Sequence, residues 1–141
     1  MKKIILPILS FIILISLCGC NQDKSLTEKE SPYTIQEINN ISTDIYDISN
    51  TGATIVIKDN NKEPYTYDEW YAIEKEENGK WYQLSTIPEE YGFNDLGYIV
   101  DDHNEVKFTI DWEWLYGQLE EGHYRILKQI NNKYISIPFN I

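Results

Sequence analysis

The chain has 141 residues, 42% of them hydrophobic and 13% aromatic, with 12 Lys and Arg against 23 Asp and Glu for a formal net charge of −11. So acidic a surface repels phosphate backbones and argues against nucleic acid as a partner, while the length and apolar content support one domain with a core of ordinary size. Both cysteines, Cys18 and Cys20, lie near the N-terminus, so the rest of the chain must hold itself together by burial without disulfides.

In chain order, Met1-Lys2-Lys3 carries positive charge, Ile4 to Leu17 is an apolar run, and Leu17-Cys18-Gly19-Cys20 is a small-residue cleavage site ending in cysteine. That is the pattern of a lipoprotein signal peptide. The fourteen residues of the run, interrupted by Pro7, fall short of the roughly twenty needed to cross hydrocarbon. The expectation is removal of residues 1–19 and lipid on the Cys20 sulfur, a diacyl anchor being stable where one chain is reversible. The mature protein is then expected on the extracellular face of a bacterial cell membrane. Without Lys2 and Lys3, ten basic residues face 23 acids, a net charge of −13, which repels anionic headgroups and holds the domain off the membrane. Solubility through surface charge also accounts for the acids. Residues 20–40, the lipidated cysteine and a polar mixed-charge stretch, read as a flexible tether reaching about 25 Å. The folded domain is expected over 41–141.

From residue 41 the pattern alternates apolar with polar. Asp44 to Ser49 is a weak strand. In Gly52 to Asp59, Ala53, Ile55 and Ile57 share one face. Trp70 to Glu77 and Lys80 to Thr86 flank Asn78-Gly79, a dipeptide that favours a two-residue hairpin loop because both central residues take positive φ. That loop sets Glu77 opposite Lys80 and Ile73 opposite Leu84. It also puts Trp81 with Glu76 on the other face, open to solvent or covered by a loop or neighbouring strand. Glu105 to Trp112 alternates most cleanly, with Val106, Phe108, Ile110 and Trp112 on its dry side. Residues 112–118 allow one short helical turn. Residues 123–130 and 133–141 flank Asn131-Asn132 and pair Tyr124 with Phe139 and Ile126 with Ile137. Pro138 then opposes Arg125 with its ring nitrogen turned away from that partner, which marks an edge. About seven short antiparallel strands predict an all-β, two-sheet sandwich without a disulfide.

Several segments together resemble a known family: Asn50-Thr51-Gly52-Ala53-Thr54, Asn78-Gly79-Lys80-Trp81-Tyr82, Gly97-Tyr98, Trp112-Glu113-Trp114-Leu115-Tyr116-Gly117, and Leu119 with Gly122 and Tyr124-Arg125-Ile126. They are similar to the bacterial immunoglobulin-like domain of Gram-positive surface lipoproteins, over about residues 42–141. The resemblance implies an immunoglobulin-like β-sandwich with no established activity. Leu119 to Tyr124 also resembles a tyrosine corner, which implies a structural role for Tyr124. Ile126 stands where antibody domains place a cysteine.

Chemical motifs are sparse. No Gly-x-Ser-x-Gly, His-Glu-x-x-His or phosphate-cradling glycine loop occurs, and His103 and His123 stand singly among acids. Asp111 and Glu113 offer a carboxylate pair beside Trp112 and Trp114, but local spacing defines no cleft. Asp59-Asn60-Asn61 and Asp101-Asp102-His103-Asn104-Glu105 are oxygen-rich, depart from the EF-hand pattern, and suit turns. The sequence therefore predicts no enzyme, no cofactor and no metal. It predicts a monomeric binding or interaction module for a protein or cell-wall ligand, with a structural accessory role as the variant. Trp70, Trp81 and Trp114 are the candidate surface aromatics, suited to sugar rings if exposed.

Overall fold

The computed structural model describes residues 27–141. The expected signal peptide, residues 1–19, and the lipid site Cys20 lie outside the described residues. The elements are β1 (Thr27–Glu30), β2 (Ile41–Tyr46), β3 (Gly52–Asp59), β4 (Ala72–Glu77), β5 (Lys80–Leu84), β6 (Glu105–Asp111), α1 (Glu113–Tyr116), β7 (His123–Ile130) and β8 (Lys133–Asn140). They form two antiparallel sheets, ordered β1-β5-β4-β7-β8 and β2-β3-β6. This is the all-β sandwich that the alternation predicts, with eight strands.

Both two-residue turns carry the expected backbone: φ is 53° and 77° at Asn78 and Gly79, and 45° and 65° at Asn131 and Asn132. The registers follow, with Glu77 opposite Lys80, Tyr124 opposite Phe139 and Arg125 opposite Pro138. Pro138 sits in β8, an edge strand, where a missing N–H costs no ladder bond. Ile55, Ile57, Ile73, Ile126 and Trp112 are fully or almost fully buried between the sheets. The Asn50-Thr51-Gly52 turn serves Trp112: Asn50 O accepts the indole Nε1–H at 2.9 Å and Thr51 O accepts the Trp112 N–H at 2.9 Å. Gly52 is required there because a Cβ would sit 2.5 Å from the Ile110 carbonyl oxygen.

The strand expected over 44–49 lies at Ile41–Tyr46 instead. Asp47 takes a left-handed φ of 52°, and the Ser49 hydroxyl bonds the Gly52 N–H and carbonyl to close the turn. The expected strand at 70 starts at Ala72, because Asp68 Oδ1 accepts the Trp70 N–H in an Asx turn.

The larger difference concerns residues 27–40, expected as part of a tether. β1 pairs with β5 through a register shift, and Ser31 N–H donates to Trp81 O. Five residues later, Gln36 N–H donates to Tyr134 O in β8. The sheet spacing from β5 to β8 is about 14 Å, and five extended residues reach about 17 Å, so the segment straps the outer face of the sheet above β4 and β7. Tyr33 packs edge-on against Tyr134 and Trp70, with ring centroids at 4.8 and 6.0 Å. Beneath the strap, Arg125 holds Glu74 Oε2 through Nε at 2.8 Å and Nη2 at 2.6 Å, and its Nη2 reaches Ser31 Oγ. Burial of apolar and ionic groups on this outer face is what orders a stretch whose composition reads as coil.

Candidate functional site

β2 lies against β8 at one side of the sandwich. At the other, the connection of residues 85–104 runs from β5 in one sheet to β6 in the other. Loops of this length within a compact domain are uncommon and usually functional. This one is pinned at Tyr98, whose N–H and C=O exchange bonds with Tyr67 at 2.7 and 2.8 Å. The Tyr98 ring stands edge-on to Phe108, 5.4 Å between centroids.

Between the loop and β6 runs a groove of about 450 Å³. One wall is β6 from Lys107 to Asp111. The other is built from Glu69, Phe93, Asn94 and Tyr98, with Trp114 of α1 at the end. Glu69 accepts the Tyr98 hydroxyl at 2.5 Å and the Asn94 amide at 2.9 Å. Donation by Tyr98 first, then by Asn94, holds its carboxyl below the usual glutamate range, with a smaller contribution from the Lys128 charge, so it is a carboxylate whose hydrogen-bond donors are neutral. Tyr71 also lines the groove, its hydroxyl donating to Asp111 O at 3.2 Å and its ring 5.1 Å from Phe93.

The wall is positioned from inside the core. Lys128 projects between the sheets with its Nζ 4.2 Å from the Phe108 ring centroid, and donates to the carbonyls of Asp68 and Trp70 at 2.5 and 2.7 Å. Burial lowers its pKa to about 8. Two backbone acceptors and a π face satisfy a cation that is otherwise costly to bury.

Phe93 and Trp114 of the groove form with Tyr91 a triangle of edge-on rings, 6.1 to 6.4 Å apart. A shallower cleft of about 520 Å³ on the far side of Gly92 is lined by Asp68, Trp70, Tyr91 and Asp95. The structure thus brings Trp114 to the groove and Trp70 to the adjoining cleft, where it also leans on Tyr134 at 5.7 Å. Trp81 is elsewhere, on the outer face of the larger sheet, with the Arg125 guanidinium 4.3 Å above its ring and His123 beside it. Tyr124 is fully buried and its hydroxyl donates to Glu120 O at 2.9 Å, the geometry of a tyrosine corner.

The carboxylates weighed in the sequence have local duties. Asp111 Oδ1 accepts the Glu113 N–H and Glu113 Oε1 accepts the Gln118 amide. Asp59 accepts from Asn61, Tyr65 and Tyr67. Asp101 Oδ1 accepts the N–H groups of His103 and Glu105; with Asp102 and His103 it forms an exposed cluster of metal-ligating types. Sequence reasoning missed Glu69, Tyr91, Phe93, Asn94 and Tyr98, although the aromatic Tyr91-Gly92-Phe93-Asn94 in an aperiodic stretch was a readable signal.

A family model described as a bacterial Ig-like domain matches residues 34–140. No curated protein and no solved structure matches the chain.

Proposed function

The chain belongs to the bacterial Ig-like domain family, and from that premise we propose that it is a non-catalytic interaction module of the cell surface, anchored by lipid on Cys20. A protein or cell-wall ligand binds at the β5–β6 side. One observation carries the placement. Among the described residues, five of the seven exposed large hydrophobic side chains fall on the loop and α1: Ile87, Tyr91, Leu96, Ile99 and Trp114. Apolar groups gathered on one side of an otherwise acidic domain mark an interaction surface rather than solubilising decoration.

The anchor is supported by the charged, apolar and small-residue order of residues 1–20. Mass spectrometry of the membrane-extracted protein is expected to show Cys20 as the first residue, diacylated; an intact Met1 or a bare thiol defeats this part. For the binding side, a photo-crosslinking residue at Tyr91 is expected to capture a cell-envelope component on living cells. The same residue at Lys80, on the β4–β5 hairpin, is expected to capture none. Equal labelling at both positions defeats the placement.

A carbohydrate is the second reading, favoured by the exposed Trp114 face beside the Glu69 and Asn94 side chains, a stacking platform next to hydrogen-bonding groups. Glycan-induced change in tryptophan emission, lost in Trp114→Ala, tests it.

A further inference from the structure

The β6 wall of the groove is an unpaired sheet edge. Asp59 N–H bonds Asn104 O and Trp112 N–H bonds Thr51 O, so the even-numbered residues of this antiparallel ladder turn their backbone groups toward β3. The odd-numbered ones face the groove. Of these, Glu105 is taken at both groups by Asp101, and the Asp111 carbonyl by Tyr71. Lys107 and Thr109 have no backbone partner on this side among the described residues. Two N–H and two C=O groups therefore stand open along the middle of a strand. The strand is regular, with no register shift and no proline, so it lacks the bulge or ring that ordinarily blocks pairing at an edge.

We infer that this edge takes an extended peptide segment of a partner protein as an added strand, with a Lys or Arg side chain of that segment directed to Glu69. The inference rests on the reading of the domain as an interaction module and names its ligand class. Main-chain bonds supply affinity in strand addition, and pockets for alternate side chains supply selectivity.

Shape and charge select the occupant. The edge shares its groove with Phe93, Asn94 and Tyr98, side chains that the β6 edge of a second copy would have to pass with its whole sheet, whereas a single extended segment brings only itself. The facing wall carries a glutamate held by neutral donors, and Asp111 lies at the end. Lys107, the cation of the open stretch, lies with its Nζ 5.6 Å from the Tyr46 ring centroid. Among the described residues Glu69 is hydrogen-bonded by Tyr98 and Asn94 and by no cation; the buried Lys128 acts on it only through space, so a direct ion pair is left to a partner's basic residue, with Phe93 and Trp114 available to its aliphatic stem.

The test uses the full chain purified in detergent and the hexapeptide Thr-Lys-Val-Arg-Val-Thr-NH2 carrying fluorescein on its N-terminus. Saturable anisotropy is expected, together with slowed hydrogen exchange at the Lys107 and Thr109 amides. N-methylation of alternate peptide nitrogens is expected to abolish binding in one phase and spare it in the other. Thr109→Pro, which removes a groove-facing N–H that β3 does not use, is expected to weaken binding at least about tenfold while leaving the melting temperature nearly unchanged. Should that variant misfold, the two N-methylation series decide alone. Equal binding of both series, undiminished affinity in folded Thr109→Pro, or no binding and no amide protection overturns the inference. Crosslinking at Tyr91 on cells separates the two levels: capture that persists in Thr109→Pro leaves the interaction module standing without strand addition, and absence of capture in wild type removes both.

Discussion

Glu74 and Glu69 sit in the same stretch of chain, five residues apart, and the fold treats them oppositely. Glu74 is sealed on the outer face of the five-stranded sheet beneath the strap, and its charge is matched by Arg125. Glu69 lines an open groove and is held by a phenol and an amide. The difference is instructive. A carboxylate matched by its own chain's cation is part of the architecture, whereas one oriented by neutral donors keeps its charge available to something else. The covering segments repeat the contrast: residues 31–36 cross the sheet and close it, whereas residues 85–104 cross the opposite side and leave a channel.

The most disruptive way to break the comparison is to strip Glu74 of its cation. Arg125→Met leaves a fully buried carboxylate whose Oε1 already lacks a partner. The expected loss is about 3–5 kcal/mol, the range for breaking a buried pair from one side. Thermal or urea unfolding followed by circular dichroism reads it. The double variant Arg125→Met with Glu74→Met is expected to recover most of the loss, since an apolar pair of similar volume is often neutral. A double variant as weak as the single would mean that the strap, and not the ion pair, governs this face.

Peeling the strap is the next step. Tyr33→Ala removes the ring that joins Trp70 and Tyr134, and a loss of about 2 kcal/mol is expected for a half-buried aromatic. Hydrogen exchange at Gln36 and Ser31 is expected to quicken, while the amides of β6 are unaffected. Equal quickening on both sides of the sandwich would contradict the independence of strap and groove.

Lys128 tests the groove from behind. Burial lowers its folded pKa to about 8, whereas in the unfolded chain it stays near 10.5. Between these values the unfolded chain binds more protons, so stability rises with pH through the window from about 8 to 10.5, by at most about 1.4 kcal/mol per pH unit. Tyr67, Tyr71 and Tyr116 oppose the rise above pH 10, because burial raises their pKa values and only the unfolded chain then ionises. Urea midpoints at pH 7.5, 8.5 and 9.5 are expected to climb in wild type and to climb less in Lys128→Met. Parallel profiles would show that Lys128 keeps an ordinary pKa.

How much of this was legible beforehand follows the range of each interaction. The hairpins were readable because Asn78-Gly79 and Asn131-Asn132 fix register within two residues, and Trp112 because the strict alternation of β6 carries through it. β1 was not, since Thr27-Glu28-Lys29-Glu30 is an all-polar edge segment with no dry face to betray it. The strap reads as coil because its order comes from Trp70, Tyr134 and Arg125, distant in sequence. The three tryptophans show the same limit. Residue type alone assigns them one role, yet contacts separate a groove residue, a strap contact and an arginine platform. The open edge of β6 follows from which neighbours β6 lacks, and no local pattern encodes that.

The smallest expected effect on the fold is also the sharpest on the comparison. Glu69→Gln keeps the shape and the acceptor for Tyr98 while removing the charge and the second acceptor, which serves the exposed Asn94 amide, so the melting temperature is expected to move less than in the Arg125, Tyr33 and Lys128 variants. Affinity for a cationic peptide is expected to fall, and the salt dependence of binding to flatten, since screening acts on the charge that has been removed. The pH profile gives an internal check. Because Tyr98 and Asn94 hold the Glu69 pKa below the ordinary value of 4.5, the wild-type charge, and the attraction it provides, persists as the pH falls past 4.5 and is lost only below it. The neutral amide has no such step. A wild-type profile that already declines well above pH 4.5, or one shared with Glu69→Gln, would place the cation's partner elsewhere in the groove, with Asp111 the next carboxylate to replace.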